Sequence, residues 1–307
     1  MKTYNELESA CTLSFESSGP YWHLWTPENH PVIFQNREIF SFAMNIIAIC
    51  ALLCPRVTII TFQIMTNHVH FTFCGNQEDI LQFFEIFKRH LSMCLKSNGY
   101  LADLSGFSPE LRELQTLQDL RNVIVYNNRN GFVVNPDETP FTYPWGANSY
   151  FFNTAAQSRY SESEQTLTRR DRRMAMHSHL ADTLPQQIKV VDGFACPMDY
   201  CSIKFGQSLF RCASHYFREI SKNIESQKKI AEEIGERVYY TDEELFLIIC
   251  SICKERYGVN KPSLLRAQDK SDMAILLHND YNVRNKQIQR LLRLDAQIVS
   301  ALFPERY

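Results

Sequence analysis

Apolar and polar positions follow two periods along the first half of the chain, one of strands and one of helices. Tyr21–Trp25 (YWHLW) is a short aromatic run that stops at Thr26-Pro27 and predicts a strand. Residues 37–54 are apolar on most faces. Asn36 stands at the N-cap position and Pro55 at the stop, so a buried helix is predicted. Val57–Met65 (VTIITFQIM) is β-branched and apolar and predicts a strand. Thr66-Asn67 then makes a turn, and Val69–Cys74 returns antiparallel to the first strand. Asp79–Asn98 has helical spacing and ends at Gly99, where a C-cap belongs. Leu101–Phe107 predicts a short strand and Glu110–Arg129 another helix. The order β-α-β-β-α-β-α predicts an α+β fold: a ferredoxin-like antiparallel sheet with helices on one face.

The second half is patterned differently. Residues 154–192 are polar and rich in Ser, Gln and Arg, the mark of a linker with an irregular helix. Apolar patterning resumes at Phe194. Thr241-Asp242 opens a helix to Tyr257. Ser271–Asn279 and Asn285–Leu294 flank the turn 281–284 at helix-turn-helix spacing, and a last helix covers Ala296–Phe303. Three parts are therefore expected: an α+β domain over 1–153, an Arg-rich linker over 154–192, and a helical domain over 193–307.

Composition narrows the class. The chain has 307 residues, 45% hydrophobic and 21% charged, and its 21 Phe and 14 Tyr suffice for a large core, which excludes wholesale disorder. Only 10 Gly and 12 Pro exclude collagen-like chains. The net charge is −2. Residues 1–150 carry 9 basic and 14 acidic side chains, and the remainder carry 23 and 20, so any nucleic-acid contact must come from local patches. Ten cysteines are too sparse for a disulfide scaffold, and Cys50, Cys54, Cys94, Cys250 and Cys253 lie in apolar runs as core thiols. The N-terminus has no apolar signal core, and the run from Ile39 to Cys54 is too short for a membrane span. A cytoplasmic protein with no membrane contact is expected.

His68-Val69-His70 carries the sharpest chemistry. Side chains alternate faces along a strand, so both imidazoles point to one side and can share a divalent metal while Val69 enters the core. Two histidines leave a metal short of ligands. Tyr126 and Asn130, four apart, share a helical face. Asn is a poor helix former, and Asn127, Asn128 and Asn130 are dense for a structural helix end. Asn130 is thus a candidate oxygen ligand, and Tyr126 a candidate nucleophile toward a polarised phosphate.

These residues resemble a family. Gln63-Ile-Met-Thr-Asn-His68-Val-His70-Phe71 resembles the HUH signature (His, hydrophobic, His) of the REP-associated tyrosine transposases. Tyr21-Trp22-His23 resembles their opening strand. Tyr126-x-x-x-Asn130 resembles their nucleophile helix, and Tyr143-Pro144-Trp145-Gly146 with Tyr150 resembles the segment after it. Thr66 and Gly131 replace prolines usual in that pattern. The resemblance covers about residues 20–152. It implies Mg²⁺ or Mn²⁺ bound by His68, His70 and Asn130, with Tyr126 cleaving DNA through a 5′-phosphotyrosine. The implied partners are single-stranded DNA, hairpins or palindromic repeats, handled by a monomer or homodimer without a nucleotide cofactor. A DNA-binding protein without cleavage activity remains the alternative.

Candidate phosphate contacts are Lys88, Arg89 and Lys96 on the helix after the His pair and the cluster Arg169, Arg170, Arg172 and Arg173. Arg284, Lys286, Gln287 and Arg290 sit on the second helix of the helix-turn-helix, where such side chains can read DNA.

Overall fold

The computed structural model describes residues 3–134, 142–162, 170, 173, 182, 188–222 and 240–304. The chain forms two compact units, Met1–Asn223 and Ile224–Tyr307. The boundary expected at 192/193 therefore lies later, because residues 188–222 pack into the first unit.

The first unit begins with α1 (Tyr4–Glu16), which the hydrophobic pattern missed. Its signal was a capping box: the Thr3 side chain caps the Glu6 amide and Glu6 caps Thr3. β1 (Tyr21–Trp25), α2 (Arg37–Leu53), β2 (Thr58–Ile64), β3 (Val69–Cys74) and α3 (Gln77–Ser97) follow as expected. The next strand does not. Residues 101–107 form no strand, and β4 is Glu110–Glu113, in the stretch expected to open a helix. That helix, α4 (Leu117–Val134), starts later because Thr116 and Asp119 cap its first turn: the Asp119 amide donates to the Thr116 hydroxyl at 3.1 Å.

The four strands form one antiparallel sheet ordered β2-β3-β1-β4. Its two faces differ in kind. Phe71 and Phe73 of β3 pack on Phe83 and Phe87 of α3, making an apolar layer under α2 and α3. The other face carries His23, Thr61, Gln63, His70 and Thr72, all buried, and α4 covers it. Helices therefore lie on both faces of the sheet, not on one. A polar sheet face can be buried only beneath a partner that hydrogen-bonds to it.

The asparagines of α4 do this. Asn127 Nδ2 donates to Thr72 Oγ1 at 2.9 Å. Asn128 Oδ1 accepts from Thr61 Oγ1 at 2.6 Å, and its Nδ2 donates to Tyr216 Oη at 2.7 Å. Tyr216, on α7 (Ala213–Lys222), donates to Asn148 Oδ1 at 2.6 Å. Asn148 Nδ2 returns to the Asn128 carbonyl at 3.0 Å, so the network closes on itself.

Around this core stand α5 (Thr154–Glu162), a hairpin of β5 (Val190–Val191) and β6 (Phe194–Ala195), and α6 (Ile203–Ser208). The hairpin explains why α2 is apolar all round. Ala48 and Ile49 meet Ile188 and Ala195, and the buried Asn45 takes the Ala195 amide at 2.7 Å. All ten cysteines are free thiols; Cys50, Cys54, Cys94 and Cys253 are buried as expected, and Cys250 is half-buried.

The second unit contains α8 (Asp242–Tyr257), α9 (Ala267–Tyr281), α10 (Asn285–Leu292) and α11 (Ala296–Leu302). Its core joins Leu245, Ile249, Met273, Leu277, Val283, Ile288 and Val299. The α9–α10 turn passes through Asn282 in the left-handed region (φ 52°), which Asn tolerates. Among the described residues no helix is long and apolar enough to cross a membrane.

Asn128→Ala strands the buried Thr61 hydroxyl and removes the donor to Tyr216 Oη, and should cost the first unit about 2 kcal/mol, read as a lower denaturation midpoint at unchanged slope. An unchanged midpoint would mean that the network adds nothing to stability.

Candidate metal and nucleophile site

The strand register brings the histidines together. His70 lies opposite Trp25 of β1 and Gln63 of β2, and His23 lies opposite Thr72, so His23, Gln63, His70 and Thr72 share one face. His68 sits in the turn just before β3. Its ring meets His70 edge-on with centroids 5.0 Å apart. His23 Nε2 is 3.4 Å from His70 Nδ1, and the two rings stack at 5.6 Å.

From above, α4 lowers Tyr126 and Asn130 onto this cluster. The Tyr126 ring stands edge-on to His70 at 5.6 Å and to His23 at 6.3 Å. Asn130 Nδ2 is 3.4 Å from His70 Nε2. The four residues singled out in the sequence, from two elements more than fifty positions apart, therefore meet on one side of one sheet.

The turn residue Asn67 decides the state of His68. Asn67 Nδ2 donates to the carbonyls of Glu28 and His30, the latter at 3.0 Å. Its Oδ1 is thereby left as an acceptor and lies 2.8 Å from His68 Nδ1. That nitrogen must carry the proton, so a neutral His68 presents an unprotonated Nε2. Burial holds His68 at a pKa of about 4. His70 lies well below the ordinary value because it is buried and beside two imidazoles. His23 falls to about 3, through burial and the nearby Arg112 guanidinium, opposed by the Asn127 side chain. All three rings are neutral at pH 7, the form that ligates metals.

The approach of α4 is close at Gly131, the position where the resemblance expects proline. A Cβ there would stand 2.4 Å from Gln63 Nε2 and 2.4 Å from the Tyr143 ring, so only glycine fits. The segment after α4 is structural. The Ile64 amide donates to the Trp145 carbonyl at 2.8 Å, Tyr143 Oη donates to the Ile64 carbonyl at 2.7 Å, and Trp145 stacks on Phe40 at 4.7 Å.

The candidate site is deep. Tyr126 is 4% exposed, His70 is fully buried, and only Asn130 is half-buried. Among the described residues no three His, Cys, Asp or Glu side chains form a metal-binding group, so the amide of Asn130 is needed to complete a set. Three members of the cluster were not singled out from the sequence. His23 was read only as part of a strand, Gln63 only as part of the motif, and Arg112, opposite His23, as a helix residue. Their signal was alternation within strands, which is silent on partners until pairing is known.

The basic residues are not gathered at this site. Lys88, Arg89 and Lys96 ride on α3, across the sheet from the histidines. Arg170 is exposed, Arg173 pairs with Asp182 through Nε at 2.8 Å, and Arg169 and Arg172 lie outside the described residues. In the second unit Gln287 Nε2 donates to the Tyr240 carbonyl and to Asp242 Oδ1, and Arg290 also binds Asp242, at 3.0 Å. These two side chains brace α10 against α8. Arg284 and Lys286 are exposed.

No protein-family model matches the chain, and no curated protein matches it. Among solved structures it is similar to a REP-associated tyrosine transposase bound to a REP hairpin, at 12% identity over 45% of this chain and 82% of that one, with a TM-score of 0.33.

The depressed histidine pKa values have a signed consequence. Above pH 6.5 the imidazoles are neutral folded or unfolded and cost nothing. Below it the unfolded chain takes up protons that the folded unit refuses until pH falls to about 4 for His68 and about 3 for His23. Each such histidine removes up to about 1.4 kcal/mol of stability per pH unit in that window. Denaturant titrations at pH 7.5, 6 and 5 should show stability falling with pH, and a pH-independent midpoint would contradict the buried neutral cluster.

Proposed function

We propose that the first unit is a metal-dependent, single-tyrosine DNA strand transferase of the HUH type, acting on single-stranded DNA flanked by hairpins or palindromic repeats. One observation carries this reading: Tyr126 packs on His70 at the face that also holds His68 and Asn130. The strand order β2-β3-β1-β4, with helices after β1 and β3, supports the ferredoxin-like assignment.

The donor set suits a hard or borderline divalent cation, Mg²⁺ or Mn²⁺. His68 and His70 would supply nitrogens. Asn130 would supply Oδ1 after a half-turn of its amide, which exchanges nitrogen and oxygen in place. Such a cation, when bound, would polarise a phosphate oxygen and offset developing charge. The chain supplies the rest. Tyr126 Oη bonds to phosphorus as the P–O3′ bond breaks, and the phenolic proton passes through water to the leaving O3′, giving a 5′-phosphotyrosine and a free 3′-OH. The phosphodiester energy is kept, so a second 3′-OH can reverse the step and join new ends. Arg112, beside His23, adds positive charge near an entering phosphate.

The depth of Tyr126 favours a second reading, DNA binding without cleavage, because α4 must shift before a phosphate reaches the phenol. One experiment separates the two. The full chain is incubated with labelled hairpin-flanked single strands and Mn²⁺, and covalent protein–DNA adducts are read on denaturing gels. Strand transfer requires an adduct that disappears in Tyr126→Phe and falls at least 100-fold in His68→Ala and His70→Ala. A gel shift without adduct under any metal supports binding alone. A chain ending at Asn223 should keep the adduct and lose target selectivity, and equal selectivity would remove the second unit from DNA recognition.

A further inference from the structure

His23 belongs to no part of the mechanism above, yet it is completely buried and touches the central histidine. Its place follows from counting protons along one line of side chains. Asn130 Nδ2 is a donor and faces His70 Nε2 at 3.4 Å, so that nitrogen accepts. Burial keeps His70 neutral with a single proton, which must then sit on Nδ1. His70 Nδ1 lies 3.4 Å from His23 Nε2, which therefore accepts, and the one proton of a neutral His23 moves to its Nδ1.

Asn127 receives it. The Asn127 Nδ2 is committed to Thr72 Oγ1 at 2.9 Å, so its free end is Oδ1, an acceptor. His23 Nδ1 and Asn127 Oδ1 are both buried, and among the described residues neither has another partner. Every donor in the line Asn130–His70–His23–Asn127–Thr72 points the same way, and reversing one link would force two protons or two lone pairs together at the next.

We infer that His23 is a positioning residue that holds His70 in the Nδ1-protonated form and so keeps the Nε2 lone pair directed at Asn130 and at a cation. It does for His70 what Asn67 does for His68. Neutral histidine ligands are generally fixed through the nitrogen that does not bind metal. The inference about metal rests on the proposed function; the order of hydrogen bonds does not.

The test uses the full chain with ¹⁵N-labelled histidine, without metal, at pH 7.5. Long-range ¹H–¹⁵N spectra should show His70 protonated at Nδ1 and bare at Nε2. A His70 proton on Nε2 in the wild type overturns the inference. In His23→Phe, which keeps ring volume but offers no acceptor, His70 should become a tautomer mixture. Mn²⁺ affinity, read from the electron paramagnetic resonance of free Mn²⁺, should fall about 10- to 100-fold. His23→Gln restores an acceptor and should recover most of that loss. Affinity equal to wild type in a folded His23→Phe also overturns it. A wild type that binds no Mn²⁺ but shows the expected tautomer supports the hydrogen-bond order and removes the metal reading instead.

Discussion

The fold of the first unit depends on how one polar face of a β-sheet is buried. His23, Thr61, Gln63, His70 and Thr72 would each lose water beneath a helix, and an unpaired buried polar group costs about 1–3 kcal/mol. The helix that covers them presents amides. Asn127 takes Thr72, Asn128 takes Thr61 and Tyr216, and Asn130 meets His70. This constraint accounts for a helix rich in a poor helix former: intrinsic propensity is given up to satisfy the sheet. It also accounts for Gly131, since amides bridge only if the backbones come close.

The same burial sets the chemistry. Imidazoles without water stay neutral, so their lone pairs remain available. A cation bound there would therefore displace no proton at neutral pH. Burial also shields the phenol of Tyr126, so the proposed reaction would require α4 to move. Stability and access oppose each other in one interface. The Gln63 amide is enclosed between Gly131 and Gly146 and has no hydrogen-bond partner among the described residues.

The second unit follows a simpler logic. Its helices close on an aliphatic core, and one face of α10 is tied to Asp242 by Gln287 and Arg290. Residues that suit DNA by chemical type are spent on internal bracing. Arg284 and Lys286 keep the exposure a phosphate contact requires.

Much was legible in the residues themselves. Periods of two and of 3.6 placed β1, α2, β2, β3 and α3 and put Tyr126 with Asn130 on a common face, because those relations depend only on the geometry of one element, whereas His68 lies one position before β3 and meets His70 from the turn. A capping box at Thr3 and a hydroxyl cap at Thr116 carried the start of α1 and α4, signals fainter than the hydrophobic pattern. Tertiary structure alone decided the rest. Strand pairing brought His23 beside His70 and Arg112 beside His23, packing of α4 set Tyr126 over the imidazoles, and the side of the sheet taken by α3 carried Lys88 and Arg89 away from them. A residue's own spacing determines its face, but which face meets which is settled by long-range burial and hydrogen-bond satisfaction across the whole chain.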